Sequence, residues 1–227
     1  MTRQSDLSHP SALIQQFVDQ QAFDLDEHQL ANLLSYCQLI MRWNRLTSLV
    51  QAKNLVALVE GHIIDCLAAL GEIIGPNVVD VGSGAGLPGL VFAIAKPSYH
   101  YYLIEANQRR TRFLTQVTIE LGLDNVTVIN ARVEDWQPMD AIQCITSRAY
   151  SALDDFYRDC GHLLAKVPGA NESAIINAGA FGGTRLVALK GRIDPHEIAA
   201  LPVSAQAIRI CPRSVPGREH RNLVIIE

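Results

Sequence analysis

The chain has 227 residues, which suits one sizeable domain or one domain with a small attachment, and 48% of them are apolar, enough for a full core. A formal net charge of −4 argues against an indiscriminate nucleic-acid binder. No apolar run approaches the roughly 18 residues of a membrane span, and the first thirty residues lack the basic flank, apolar run and cleavage site of a secretory signal.

The N-terminal part reads as helices. Ala12, Leu13, Ile14, Phe17 and Val18 form a short apolar stripe. Asp26 followed by Gln29 is a capping-box pattern, and Leu30, Leu33, Leu34, Cys37, Ile40 and Met41 recur after it at helical spacing. A third helix is predicted from Asn54, with Leu55, Leu58, Val59, Ile63, Cys66, Leu67 and Leu70 on one face. From residue 76 the pattern changes to short apolar runs separated by glycine and by helical stretches. Strands are predicted at 78–81, 100–104, 126–129, 141–146, 186–189, 208–210 and 223–226, with helices at 87–95, 108–121 and 152–164. The stretch 166–183 is rich in Gly, Ala, Asn and Pro and reads as a loop or insertion. This alternation predicts an α/β doubly wound, mostly parallel sheet, covered on both faces, with the last two strands antiparallel at one edge. The expected division is a helical segment, 1–75, packed on a core domain, 76–227.

The five cysteines are odd in number and form no C-x-x-C, so they read as reduced thiols of a cytoplasmic protein. No His/Cys group has zinc spacing, and no metal is expected. Charge is uneven along the chain. Residues 1–80 hold four basic and nine acidic residues, whereas residues 81–227 hold fifteen basic and fourteen acidic ones. Fifteen of the nineteen basic residues are Arg, which fits specific anion contacts, although genome composition produces the same bias.

The segment with most chemical content is Asp80-Val-Gly82-Ser83-Gly84-Ala-Gly86-Leu87-Pro88-Gly89, placed where a strand gives way to a helix. Glycines there permit a tight turn and close approach of a ligand. Glu105 ends the next strand, 25 residues after Asp80, where an acid holds ribose hydroxyls in a doubly wound sheet. Two cofactors fit. Gly84-x-Gly86-x-x-Gly89 satisfies the dinucleotide pattern of an NAD(P)-dependent oxidoreductase. Asp80-x-Gly82-x-Gly84-x-Gly86 satisfies the pattern of an S-adenosylmethionine enzyme. That donor has no phosphate but carries an ammonium, which Asp80 at a strand end suits, directly or through water. Pro88 also removes an N–H that a phosphate site needs. The methyl donor is therefore the favoured reading. A third possibility is a non-catalytic RNA-binding protein with this fold.

These motifs together resemble the RsmG (GidB) type ribosomal RNA small-subunit methyltransferases, over most of the chain from about Leu30. Asp80 to Gly89 is similar to the family's D-V-G-T/S-G-x-G-L-P-G. Arg109-Arg110-x-Arg112-Phe113-Leu114 resembles K-R-x-R-F-L, and Arg132-Val133-Glu134, Ser147-Arg148-Ala149 and Ala188-Leu189-Lys190-Gly191 resemble later family motifs. Arg221 to Ile226 resembles its closing strand, and Trp43-Asn44 and His62-x-x-Asp65 match upstream. Ser48 and Val50 depart from the family's Asn and Thr. The resemblance implies a class I S-adenosylmethionine methyltransferase of Rossmann-like fold, acting on N7 of a guanine in small-subunit (16S) ribosomal RNA; a monomer is expected. It implies donor contacts at Asp80, Gly82, Ser83, Gly84, Gly86, Leu87, Pro88, Glu105, Val133, Glu134 and Arg148, with adenine met chiefly by the backbone of Val133 and Glu134. Arg148 has a rival role as a salt-bridge partner of a nearby acid. Arg109, Arg110, Arg112, Arg132, Lys190 and Arg221 are the expected RNA contacts, with a solvated charge as the alternative for Lys190. His62 and Asp65, one helical turn apart, are either a surface pair or part of the site. N7 is unprotonated at neutral pH, so no general base is expected and Arg148 is a positioning residue.

Overall fold

In the computed structural model the described residues are 10–150, 152–164, 183–215 and 218–227. The Gly/Ala-rich stretch 166–183 therefore lies outside them, save for Gly183. Three helices come first. α1 spans Pro10–Val18 and α2 spans Glu27–Trp43. α3 covers residues 55–67 and changes pitch twice, with α-helical turns Leu55–Leu58 and Ile64–Leu67 on either side of a π-helical stretch, Val59–Ile63. The strands are β1 Asn77–Val81, β2 His100–Ile104, β3 Val126–Ile129, β4 Cys144–Arg148, β5 Arg185–Lys190, β6 Ile208–Val215 and β7 Arg218–Ile226. Between them lie α4 Gly89–Ala95, α5 Gln108–Glu120, α6 Leu153–Asp159 and α7 Pro195–Ala199.

The sheet has seven strands among the described residues, in the order β3-β2-β1-β4-β5-β7-β6. β1 to β5 are parallel, and β7 runs antiparallel to both β5 and β6. The connection reverses direction at β1, which pairs with β2 on one side and β4 on the other. That switch point opens a crevice at the strands' carboxyl ends.

Local chemistry explains the helix ends. The Asp26 carboxylate accepts the Gln29 N–H at 2.7 Å, and Gln29 Oε1 accepts the Asp26 N–H at 2.8 Å. The Gln29 amide also donates to the carbonyls of Ile94 and Ala95, both at 3.1 Å, and so caps the end of α4 from α2. Asn54, Asn107 and Asp194 cap α3, α5 and α7. One continuous core joins Ile14, Phe17, Leu33, Tyr36, Ile40 and Ile63 of the first helices to Phe92, Tyr101, Phe113 and Ile225, so apolar packing crosses residue 75 without a break. Burying each such side chain contributes about 1.5–3 kcal/mol. A second cluster, with Ile145, Phe156, Leu186 and Val224, fills the other face of the sheet.

Several predicted bounds shift. β4 runs to Arg148 rather than ending at 146, and α4 starts at Gly89 because Leu87 and Pro88 belong to the preceding loop. β6 continues through Pro212 to Val215, which an edge strand tolerates because it is paired on one side only. The 152–164 helix is shorter, α6 followed by a 3-10 turn at Gly161–Leu163. The five thiols are free, and burial pushes Cys37, Cys66 and Cys144 up to about 12. No helix among the described residues is long and apolar enough to cross a membrane, and no His, Cys, Asp or Glu cluster there has the makings of a metal site.

Candidate functional site

The loop between β1 and α4 is held from within. The Gly82 and Ser83 N–H groups both donate to the Ile104 carbonyl, at 2.9 and 3.1 Å. The Gly84 N–H donates to Glu105 Oε2 at 2.8 Å. Gly86 and Leu87 donate to the Ser83 carbonyl at 2.7 and 3.2 Å, and Gly89 donates to Asp80 Oδ2 at 3.1 Å. Tyr36 of α2 clamps the outside, its hydroxyl donating to the Ala85 carbonyl at 2.6 Å. A pyrophosphate cradle needs loop N–H groups aimed outward; in this loop those six are spent inside the protein. The dinucleotide reading therefore loses its physical basis.

Glycine is required at two kinds of place here. Gly82 and Gly84 take positive φ, +67° and +58°. At Gly89 an added Cβ would come within 2.4 Å of Leu103 Cδ2 and 2.6 Å of Asp80 Oδ2.

The Asp80 side chain is fully buried under the loop and is not on the cavity's wall, with Oδ1 lacking any hydrogen-bond partner. Burial pushes its carboxyl up to about 7, against the opposing effect of the Gly89 N–H. Glu105 is different. It is 6% exposed and lies on the crevice wall, with Oε1 accepting the Asn107 N–H at 2.7 Å and Oε2 the Gly84 N–H. Bracing the loop leaves it able to take ribose hydroxyls, because each carboxylate oxygen has a second lone pair.

A cavity of about 480 Å³ opens at the carboxyl ends of β1, β2 and β4. Gly82, Glu105, Arg132, Val133, Glu134 and Arg148 line it, together with Arg110 and Tyr150. Ser83, Gly84, Gly86, Leu87 and Pro88 are not on its wall; they shape the loop beneath it. The Ser147 hydroxyl donates to the Val81 carbonyl at 2.8 Å and ties β4 to β1 at the floor.

Arg148 is held by α3. Its guanidinium lies 3.5 Å from Asp65 Oδ2 and 2.7 Å from His62 Nδ1. Asp65 is 4% exposed and also meets Arg213 at 3.1 Å and Arg221 at 3.6 Å. The surface-pair reading of His62 and Asp65 is thus overturned: both face the site, carried there by the π-helical stretch and the turn after it. Extra π turns inside α-helices are frequent at functional sites. Arg148 pairs with an acid, its rival role, and also lines the cavity. Lys190 is not a free solvated charge; it pairs with Glu197 at 3.1 Å and is 12% exposed. Burial pulls the Arg213 guanidinium below its usual range, with Asp65 opposing.

Of the expected RNA contacts, Arg109, Arg112 and Arg132 are exposed and in no ion pair among the described residues. Arg110 is exposed as well, and its guanidinium lies 3.8 Å from Glu105 Oε2. Sequence reasoning missed Tyr150, Tyr36 and Arg213. Tyr150 directly follows the Ser147-Arg148-Ala149 motif, and its hydroxyl donates to Asp159 at 2.8 Å; the other two carry no local signal.

Comparison with known proteins agrees with this arrangement. The family model for rRNA small subunit methyltransferase G (GidB) matches residues 29–170. The Ribosomal RNA small subunit methyltransferase G of Nitrosococcus oceani is 37% identical over 193 residues, covering 85% of this chain and 83% of that one. Its counterpart from Nitrosospira multiformis is 39% identical over 204 residues, covering 89% and 90%. Among solved structures, a SAM dependent methyltransferase from Aquifex aeolicus superposes with a TM-score of 0.50 at 16% identity, covering 75% of this chain and 93% of that one. The mitomycin 7-O-methyltransferase MmcR gives a TM-score of 0.50 at 12% identity, covering 96% and 72%. Those two likenesses speak to the fold alone, that of class I S-adenosylmethionine methyltransferases. With a family model over more than half its length and relatives of this identity along most of it, the chain belongs to the ribosomal RNA small subunit methyltransferase G family.

Proposed function

We propose that this protein transfers a methyl group from S-adenosylmethionine to N7 of a guanine in small-subunit ribosomal RNA. Family membership supports the reaction, and the crevice supports the donor. The observation that carries the reading is the cavity at the ends of β1, β2 and β4, walled by Glu105 and floored by a loop whose N–H groups are already used. Such a cavity suits a ligand with a ribose and no phosphate. Its wall carries Glu105, Glu134, Asp155 and Asp159 together with Arg110, Arg132, Arg148 and Arg158, which suits a ligand bearing both positive and negative groups. Glu105 would take the ribose hydroxyls, and the backbone at Val133 and Glu134 the adenine. The bound donor supplies an electrophilic methyl group on a sulfonium.

The acceptor atom needs no base. The N7 lone pair forms the new N–C bond, the electrons of the C–S bond remain on sulfur, and the positive charge passes to the purine; no proton moves. The protein's task is then alignment, with Arg148 as a positioning residue at the cavity's edge. Because N7 is the usual acceptor for Arg, it must be left free, and the guanine is read at O6 or on its other edge. An unpaired or extruded base permits this.

Two measurements test the reading. Calorimetry should give micromolar binding of S-adenosylhomocysteine and none of nicotinamide dinucleotides. Mass spectrometry of RNA digested from treated, undermethylated small subunits should show N7-methylguanosine. Binding of a dinucleotide instead, or a methyl group on another atom, would overturn it.

A further inference from the structure

A second cavity, of about 350 Å³, lies directly against the first and shares Arg148, Ala149 and Tyr150 with it. His62, Asp65, Lys190, Arg192 and Arg221 lie on its remaining wall. Its size is at the small end of ligand pockets, which run from about 300 to 1,000 Å³, so it suits one nucleotide and no duplex.

Its charge is lopsided. Arg148, Lys190, Arg192 and Arg221 face it against a single carboxylate, Asp65. Including the nearest outer partners, Arg213 behind Asp65 and Glu197 beside Lys190, still leaves three positive charges in excess. Asp65 is shared by three guanidinium groups and neutralises only one. Arg192 is exposed and in no ion pair among the described residues. Gathering cations in this way costs free energy, which an anionic ligand offsets.

The shared wall also offers a ring. Tyr150 is half-buried, its hydroxyl is tied to Asp159, and its ring packs 5.3 Å from that of Phe156. The same ring borders Gly82, where an added Cβ would lie 3.9 Å from Tyr150 Cδ2. A restrained aromatic face between a donor cavity and a cationic one is what an unpaired base stacks on.

We propose that this second cavity is the acceptor-nucleotide pocket: the target guanine stacks on Tyr150, and a phosphate next to it rests on Arg192, Lys190 and Arg221. The proposal rests on the RNA methyl transfer argued above. It assigns Arg192 and Tyr150, which no motif singled out, and it separates them from the exposed arginines of α5.

The test uses Arg192→Ala, Arg192→Lys, Tyr150→Leu and Tyr150→Phe in the full chain. Each is measured for kcat/KM on undermethylated small subunits and for S-adenosylhomocysteine affinity. Arg192→Ala and Tyr150→Leu should each lower kcat/KM by about tenfold or more, and Arg192→Ala, which lies off the donor cavity, should keep the affinity for S-adenosylhomocysteine within about threefold of wild type. Arg192→Lys and Tyr150→Phe should recover part of the loss, because charge and ring are kept. If Arg192→Ala and Tyr150→Leu methylate subunits normally, the pocket is wrong and the methyl transfer stands. Loss of S-adenosylhomocysteine binding in Arg192→Ala in parallel with rate would place that residue in the donor site and also overturn the pocket. A wild-type protein that methylates no subunit RNA would instead fail the functional reading itself.

Discussion

His62 Nδ1 and the guanidinium of Arg148 meet at 2.7 Å, although 86 residues separate them in the chain. The other ring nitrogen, Nε2, lies 3.3 Å from the Gln51 carbonyl, which can only accept. The proton is therefore assigned to Nε2, and Nδ1 is left to accept from Arg148. With Asp65 on its other side, Arg148 is held by two side chains of one helix. His62→Leu should free the guanidinium and lower the methyl-transfer rate by about tenfold, the effect of one lost hydrogen bond to a charged group. His62→Gln keeps an acceptor and should recover much of the rate. Equal losses in both variants, with unfolding midpoints unchanged, would refute the positioning role.

Asp80 leads to a pH prediction. Its carboxyl is near the usual Asp range of about 3.9 in the unfolded chain and is raised to about 7 by burial in the folded one. Between those values the unfolded state ionises while the folded state keeps its proton. Stability from this group is thus complete below about pH 4 and falls as pH rises toward 7. Three pKa units correspond to roughly 4 kcal/mol. Asp80→Asn removes the titration, so its unfolding free energy should gain on wild type by up to that amount between pH 4 and 7. Urea unfolding across this range measures it, and parallel pH curves would contradict it. Donor affinity should fall less in Asp80→Asn than in Glu105→Ala, which should lose about 1.5–3 kcal/mol.

Much of the sheet was legible because parallel strands buried on both faces are short apolar runs bounded by Gly, Pro or polar residues. β2 and β3 have the predicted bounds for that reason. β4 was misplaced because its last residues, Thr146, Ser147 and Arg148, are polar, so the apolar run stops before the strand does. Those polar ends are what the crevice uses. The glycine motif located the loop but not the destination of its N–H groups, which decides between the two cofactors. The approach of His62 and Asp65 to Arg148 left no trace in one sequence, because a π-helical stretch has no hydrophobic period of its own and contacts across 83 to 86 residues are not patterned.

Gly89 tests how tightly the loop is seated. An added methyl group would press on Leu103 and on the Asp80 carboxylate that accepts the Gly89 N–H. Gly89→Ala should destabilise the fold by about 1–3 kcal/mol, the usual cost of overpacking. This outweighs the roughly 1 kcal/mol that Ala gains over Gly in a helix. A rise in thermal midpoint would show that the loop has room to relax.

Arg109 and Arg110 are adjacent in sequence but not equivalent in the fold. Both follow the Asn107 cap at the start of α5, where positive charge opposes the helix dipole, so helix stability does not account for them. Arg109 is exposed and unpaired among the described residues, whereas Arg110 reaches to 3.8 Å from Glu105 and lines the donor cavity. Arg109→Ala should weaken RNA binding and shallow its log–log salt dependence by roughly 0.7–0.9, one phosphate contact, with donor affinity within about threefold. Arg110→Ala should weaken both, because Glu105 loses the cation nearest to its free lone pairs. RNA affinity measured from low to moderate salt and donor calorimetry on the same preparations give the comparison. If Arg109→Ala leaves the salt slope unchanged, this end of α5 does not touch RNA. If Arg110→Ala leaves donor affinity unchanged, the 3.8 Å approach to Glu105 has no part in binding.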